Sequence, residues 1–260
     1  MVSNKNQSVI ISGGTQGLGY AIAEALISQG CKKLTITGRH ENKGIAAAKA
    51  LSQNDVDCLF IRCDVAHIDD CDAVVTNAIQ YHGFVNGLVN AAADTSRGGL
   101  LDTTPELWDR HMAINLRGPF FLMQGVAKHL VKTGKPGSLI NILSTSAHVG
   151  QSFLSAYSSS KGGLMTLTKN AANAMRHHKI RVNAIAPGWM DTPNEDLVQK
   201  QFHDADDDWL EKAEAGLPMG QLAKPHQIAP LAAYLLSPDS GIITGSIIDY
   251  DQQIVGVMPE

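Results

Sequence analysis

Tyr157 and Lys161 stand four residues apart in the run AYSSSKGGLMTLTKNAANAM, which reads as a helix beginning near Ser155. Residues at that spacing project from one helix face, so the ammonium can sit beside the phenol or share a ligand with it. A free phenol has a pKa of about 10, too high to release a proton readily near pH 7. Lowering it by ~3 units takes ~4 kcal/mol of preference for phenolate. One cation ~4 Å away, at an effective dielectric of ~20, supplies about that much. Tyr157 is then a general acid/base tuned by Lys161. Ser144 follows the apolar run SLINIL, where a hydroxyl at a strand end can orient a substrate oxygen. The competing reading is a solvated helix face, because Tyr and Lys four apart are common by chance.

The elements that must position these groups begin at the N-terminus. SVIIS (8–12) is a short apolar run with β-branched residues, as a buried parallel strand requires. GGTQGLG follows, then YAIAEALISQG with helical periodicity and a closing glycine. A strand, a glycine turn and a helix N-terminus suit a dinucleotide pyrophosphate: Gly13 for the tight turn, Gly17 for close backbone approach, Gly19 for close helix packing. The spacing is Gly13-x-x-x-Gly17-x-Gly19, not the commoner GxGxxG. The alternation then repeats. Strands are expected at KLTIT, VDCLFI, VNGLVN, GSLINIL and IRVNAIA, with helices between them, including one long helix from Pro105 to Val131. Such alternation predicts a doubly wound parallel α/β sheet with helices on both faces and ligands beyond the strands' carboxyl ends. Asn90, Ser144 and Pro187-Gly188 fall at three of those ends. No repeat or low-complexity linker interrupts the chain, so one domain over residues 1–260 is expected.

Composition narrows the function classes. The chain has 44% hydrophobic residues and a net charge of −4, with no Lys/Arg-rich run, which argues against nucleic acid or an anionic membrane as partner. Its four cysteines (Cys31, Cys58, Cys63, Cys71) lack CxxC spacing, and no signal peptide precedes them, so reduced thiols in a cytoplasmic protein are expected. Cys58, Cys63 and His67 make a conceivable zinc set, but strand and loop roles fit them better, and no metal is expected. No apolar segment reaches the ~20 residues of a membrane span.

With these parts in place the chain resembles the short-chain dehydrogenase/reductase family from Ser8 to about Asp251. The family's Thr-Gly-x-x-x-Gly-x-Gly motif matches Ser12, Gly13, Gly17 and Gly19, with Thr15, Gln16 and Leu18 in the same turn. Its adenine-pocket Asp-Val pair matches Asp64-Val65. Asn-Asn-Ala-Gly corresponds to Asn90-Ala91-Ala92-Ala93, and the helix asparagine to Asn115. The Ser and Tyr-x-x-x-Lys motifs match Ser144, Tyr157 and Lys161; the Pro-Gly motif and its threonine match Pro187, Gly188 and Thr192. The resemblance implies a Rossmann-type fold of about seven strands, binding NAD(P) and exchanging hydride with an alcohol or carbonyl substrate. It further implies that Tyr157 carries the proton, Ser144 holds the reacting oxygen, and Lys161 lowers the Tyr157 pKa and binds ribose. Asn115 would hold a water linking Lys161 to solvent, or satisfy a distorted helix turn. Thr192 and the backbone near Met190 would fix the nicotinamide amide. Two departures stand out: Ala93 replaces the usual glycine, and Asp251-Gln252-Gln253 stands where Asp-Gly-Gly is frequent.

Cofactor choice rests on TITGRHE. Gly38 occupies the place of an acidic residue that would favour NAD, and Arg39 follows, so NADP is expected over NAD. Gln16 weakens that expectation, because many NADP-binding relatives carry a basic residue there, and Arg39 stacked on adenine would serve either cofactor. Candidate pocket residues are Asp94, Thr95, Arg97, Thr145, Ser146, His148, Gln151 and Trp189, with a substrate lid over 189–217. Their polarity favours a sugar or polyol; an apolar pocket around Trp189, Phe153 and Leu154 would instead suit a 3-oxoacyl thioester or another ketone. A dinucleotide-binding regulatory protein without turnover is the alternative of another class. Small residues on more than one face of the Tyr157 helix, and the family habit of pairing it across a two-fold axis, suggest a homotetramer.

Overall fold

The computed structural model describes residues 2–53 and 55–257. Seven parallel strands form one sheet in the order β3-β2-β1-β4-β5-β6-β7: β1 Ser8–Ser12, β2 Lys33–Gly38, β3 Asp57–Arg62, β4 Gly87–Asn90, β5 Gly137–Ile142, β6 Ile180–Pro187 and β7 Ile247–Tyr250. Every residue of β1 and β4 is buried, as expected of central strands covered on both faces. One core joins β1 and β2 to α1 (Gly17–Ser28), α2 (Glu41–Leu51) and residues of Pro225–Leu236. The opposite core joins α3 (Ile68–His82) to residues 114–130 and the start of β6.

Register brings the strand ends to one edge: Ser12 pairs with Thr37 and Asn90, and Asn90 with Asn141. A buried chain of amides and hydroxyls locks this edge. Asn90 Nδ2 donates to Asn141 Oδ1 at 2.9 Å, and Asn141 Nδ2 donates to Thr168 Oγ1 at 2.9 Å. Asn90 thus braces the sheet although Ala93 replaces the usual glycine.

The long helix expected from Pro105 to Val131 is instead α4 (Pro105–Met112), a π-helical turn at Ala113–Arg117, and α5 (Gly118–Thr133). The extra residue of the π turn lets Gly118 press against the loop before α3, where an added Cβ would come 2.3 Å from Val65 O. Periodicity alone carries no sign of such a tertiary contact. After α6 (Ser155–Met175) and β6, the chain makes α7 (Pro193–Phe202) and α8 (Trp209–Ala215) before α9 (Pro225–Leu236) and β7. Lys224 Nζ anchors the base of this excursion, 2.9 Å from Asp191 Oδ2 and 2.5 Å from Glu214 Oε1.

Candidate active site

A single cleft of about 1410 Å³ runs along the carboxyl edge of the sheet, from Arg39 at one end to Phe202 and His203 at the other. Its floor at the first end is the β1–α1 turn. Gly19 lies so close to that turn that a Cβ would stand 2.3 Å from Gly13 O. Gly17 has φ +53, and a Cβ there would meet nothing nearer than Thr192 Cγ2 at 3.9 Å. A side chain at 17 would therefore project into the cleft and fill it. The first backbone bond of α1 runs from Tyr20 N to Gln16 O, and no described side chain caps the helix. Its leading amides and positive dipole end face the cleft with no acidic residue in the first turn, which fits a pyrophosphate.

Thr15, Gln16, Leu18, Arg39, Asp64, Val65, Ala91, Ala92, Pro187, Gly188, Met190 and Thr192 all line the cleft, with Gly13, Gly17 and Gly19. Asn90 does not; it is buried beneath, with its amide on Asn141. Lys43 went unnoticed in the sequence. It reaches from the first turn of α2 to donate a hydrogen bond to Gln16 Oε1 and lines the same end as Arg39. A lysine two positions inside a helix N-terminus opposes the macrodipole, which is the signal that could have found it.

At the centre, β5 delivers Ser144 and α6 delivers Tyr157 and Lys161 to the cleft. Lys161 is 2% exposed. Its Nζ donates to Ile142 O at 2.8 Å and lies 5.8 Å from the Tyr157 ring centroid. Burial lowers its pKa to about 8, from the usual 10.5. The Tyr157 phenol is pushed the other way, to about 12, chiefly by burial; a hydrogen bond with Ser144 and the charge of Arg97 pull it down, and Glu195 raises it. The ammonium is directed at a strand carbonyl rather than at the phenol hydroxyl, although it stays beside the Tyr157 ring.

Asn115 is fully buried in the π turn and does not line the cleft. Its Oδ1 accepts from Asp94 N at 2.8 Å, and its Nδ2 donates to Asp94 O at 3.0 Å and to Ser160 Oγ at 3.1 Å. The side chain braces the loop after β4 against α6, one turn from Tyr157. Buried His111 packs edge-on to the Tyr157 ring, 6.2 Å between centroids.

At the far end, Asp94, Thr95, Arg97, Thr145, Ser146, Gln151 and Trp189 reach the cleft, together with Phe153 and Leu154. His148 does not; its Nε2 pairs with Asp249 Oδ1 at 2.7 Å on β7. Asp94 is engaged by the protein, accepting from Ser96 N at 2.8 Å in its own loop and meeting Arg110 Nε of α4 at 2.5 Å. Helix α7 adds Glu195, and the tail adds residues 251–256. Gln252 ties that tail across, accepting from Met219 N at 2.7 Å and donating to Gln221 O at 2.7 Å. Of the conceivable zinc set, Cys58 and Cys63 belong to opposite cores, and no three metal-ligating groups meet among the described residues.

Comparison with known proteins agrees with this geometry. A family model described as enoyl-(acyl carrier protein) reductase matches residues 13–252. The chain is 32% identical to the NADP-dependent (R)-specific alcohol dehydrogenase of Lentilactobacillus kefiri over 244 residues, 93% of this chain and 94% of that protein. It is 30% identical to galactitol 2-dehydrogenase of Agrobacterium fabrum over 252 residues, 95% of this chain and 96% of that protein. An actinorhodin polyketide ketoreductase solved with NADPH superposes with a TM-score of 0.89 at 27% identity, covering 96% of this chain and 97% of that one. A seven-stranded parallel sheet, a glycine turn facing one long cleft and a Ser-Tyr-Lys group at its centre accompany these likenesses. The chain belongs to the short-chain dehydrogenase/reductase family and is an NAD(P)-dependent oxidoreductase acting on CH–OH or C=O groups.

Proposed function

We propose that the protein is an NADP-preferring oxidoreductase of small polar alcohols or ketones, a sugar or polyol rather than an acyl thioester. The observation that carries this reading is the position of Ser144, Tyr157 and Lys161 midway along a cleft with cationic side chains at one end and a polar lining at the other. The bound nicotinamide supplies the hydride chemistry. Tyr157 transfers the proton to or from the substrate oxygen, and Ser144 holds that oxygen. With its phenol near 12, Tyr157 is neutral at pH 7 and set to donate a proton to a carbonyl. Lys161 supplies a buried positive charge below about pH 8. Asn115 is a positioning residue, because its amide is engaged by Asp94 and Ser160.

Arg39 and Lys43 together support NADP: the basic group that residue 16 lacks comes from α2. Thr192 caps α7 and, with Met190, borders the nicotinamide end. The segment 189–217 carries α7 over the far end of the cleft, with α8 packed behind it through Trp209 on Trp189, and acts as a substrate lid on a single catalytic domain. The galactitol 2-dehydrogenase relative supports the polyol class. Burying the polar groups Thr95, Arg97 and Glu195 beneath an acyl chain would cost ~1–3 kcal/mol for each left unpaired.

Exposed Trp108 and Phe120 on α4 and α5 support assembly into a homotetramer, which light scattering at micromolar concentration checks. Four unpaired buried cysteines agree with a reducing cytoplasm; among the described residues no helix is long and apolar enough to cross a membrane. The functional test is a panel of aldoses, ketoses, polyols, hydroxy-steroids and acetoacetyl thioesters, followed by nicotinamide absorbance with both cofactors. Turnover confined to steroids or thioesters overturns the substrate class and leaves the oxidoreductase assignment in place.

A further inference from the structure

Arg97 lies at the substrate end of the cleft with its side chain 14% exposed. A guanidinium so far from water needs a close anion or a full set of acceptors. Its inner side is fixed by the protein. Nη1 donates to Thr95 O at 2.9 Å, Nε lies 3.4 Å from His203 Nε2, and the group stands over the Phe153 ring at 5.6 Å. Among the described residues its outer side has only a loose partner, Glu195 Oε1, 3.6 Å from Nη2. Charge-assisted pairs close to about 2.7–2.9 Å.

Glu195 is not held in place by Arg97. The same Oε1 accepts from Trp189 Nε1 at 2.8 Å and from Gln199 Nε2 at 2.7 Å, both within or beside α7. The arginine and its counter-charge therefore belong to different bodies. One is the loop after β4, braced by Asn115; the other is the segment joining β6 to α9. Near this pair, besides the two contacts to Arg97, Asn194 Nδ2 donates to Thr95 Oγ1 at 3.2 Å and the His203 ring meets Phe153 edge-on, 5.4 Å between centroids. When α7 moves to admit a substrate, Arg97 loses its counter-charge and its contact with His203, which ends α7, but keeps Thr95 O and the Phe153 ring. Arg97, Glu195 and Tyr157 line the same cleft, so an anion on Arg97 shares that space with the reacting oxygen.

Building on the polyol reading above, we propose that Arg97 binds a substrate carboxylate, that Glu195 occupies that carboxylate's position until it arrives, and that the substrate is a polyhydroxylated acid. A planar fork with a rigid inner side is preorganised for two parallel bonds to a carboxylate. A neutral alditol offers no charge to replace Glu195 and gains nothing from displacing it. The hydroxyls of either molecule meet Thr145, Ser146 and Gln151, which line the same region.

The test compares kcat/KM for C5–C6 aldonates with that for alditols of matching stereochemistry, which differ only in the terminal carboxylate. Wild-type protein should favour the aldonate by at least about tenfold. Arg97→Gln should cut the aldonate kcat/KM about 30–100-fold, mainly through KM, and abolish the preference. Arg97→Lys should restore part of it, and Glu195→Gln should lower the aldonate KM. Equal use of both classes by wild-type protein, or a preference that survives Arg97→Gln, overturns the assignment while sparing the polyol reading. Oxidation of some other alcohol, with neither sugar class turned over, overturns both. If Arg97→Gln fails to fold by circular dichroism, Glu195→Gln decides: an unchanged or raised aldonate KM overturns the proposal.

Discussion

At the nucleotide end of the cleft the wall is made of backbone; at the substrate end it is made of side chains. Gly13, Gly17 and Gly19 shape the first within seven consecutive residues, and the strand before them and the helix after them leave little freedom. The second is assembled from Arg97, Gln151, the segment with Trp189 and Glu195, and the tail at 251–256, four separate stretches of the chain. Backbone recognition tolerates substitution around it and suits a cofactor common to many reactions. Side-chain recognition on connecting segments can change without disturbing the sheet, which is how one fold takes different substrates. Tyr157 and Lys161 stand at the seam, on a helix that packs against β6 and the π turn.

The largest effect expected at this seam comes from Tyr157→Phe. The ring and its edge-on contact with His111 remain, and only the hydroxyl is lost. Turnover should fall ~10²–10⁴-fold, the range for a lost general acid/base, while cofactor affinity measured by fluorescence titration stays within a few-fold. Near-normal turnover by the Phe variant would sink the proton-transfer role. Equal loss of turnover and cofactor affinity would show that the two ends are not separable as argued.

Lys161→Met probes what the seam costs the fold. The lysine's pKa is depressed to about 8 in the folded chain against an ordinary 10.5. Below pH 8 it is charged in both states, and the folded protein bears the full burden of burying it. Between 8 and 10.5 the unfolded chain binds more protons, so stability rises with pH. Above 10.5 the burden is gone. The whole difference amounts to ~3 kcal/mol. Urea unfolding at fixed protein concentration should therefore show wild type gaining on Lys161→Met by roughly that amount from pH 7.5 to 10.5. At pH 7.5 the variant should match or exceed wild type, since losing the bond to Ile142 O offsets part of its gain. A gap independent of pH would mean that the lysine is not buried as a charge.

How much of this was legible in the sequence follows the same division. The strand–glycine-turn–helix unit, the alternation of parallel strands with helices and the Tyr-x-x-x-Lys pair are local patterns, and each lies where the spacing put it. What spacing does not encode is where a side chain spends its hydrogen bonds. His148 and Asp94 looked free for a substrate, yet one pairs with Asp249, 101 residues on, and the other with Ser96 and Arg110. Lys161 looked aimed at the phenol, but Ile142 O lies nearer its reach in the folded chain. The π turn at Asn115 accompanies the close approach of Gly118 to Val65 O, a contact between elements that no single-helix pattern reveals. Glu195 was read only as part of a lid, because its opposite charge, Arg97, lies almost a hundred residues earlier.

The smallest expected effect lies at the nucleotide end, where side chains add selectivity to a backbone site. Arg39 and Lys43 are both exposed and both line the cleft, so each acts through water-screened contacts. A ribose 2′-phosphate would gain charge-assisted bonds from either, whereas an unphosphorylated ribose would gain little. Arg39→Ala should weaken NADP binding about tenfold and NAD binding by less than twofold, in isothermal titration at low salt. Lys43→Ala should cost somewhat less, because the lysine also serves Gln16 and the variant leaves that amide free to turn toward the phosphate. Raising the salt to ~0.5 M should shrink both effects on NADP and leave NAD binding nearly unchanged. If NAD binds tighter than NADP in wild-type protein, and neither variant shifts the ratio, then both cations are surface charges and the backbone alone makes the nucleotide end.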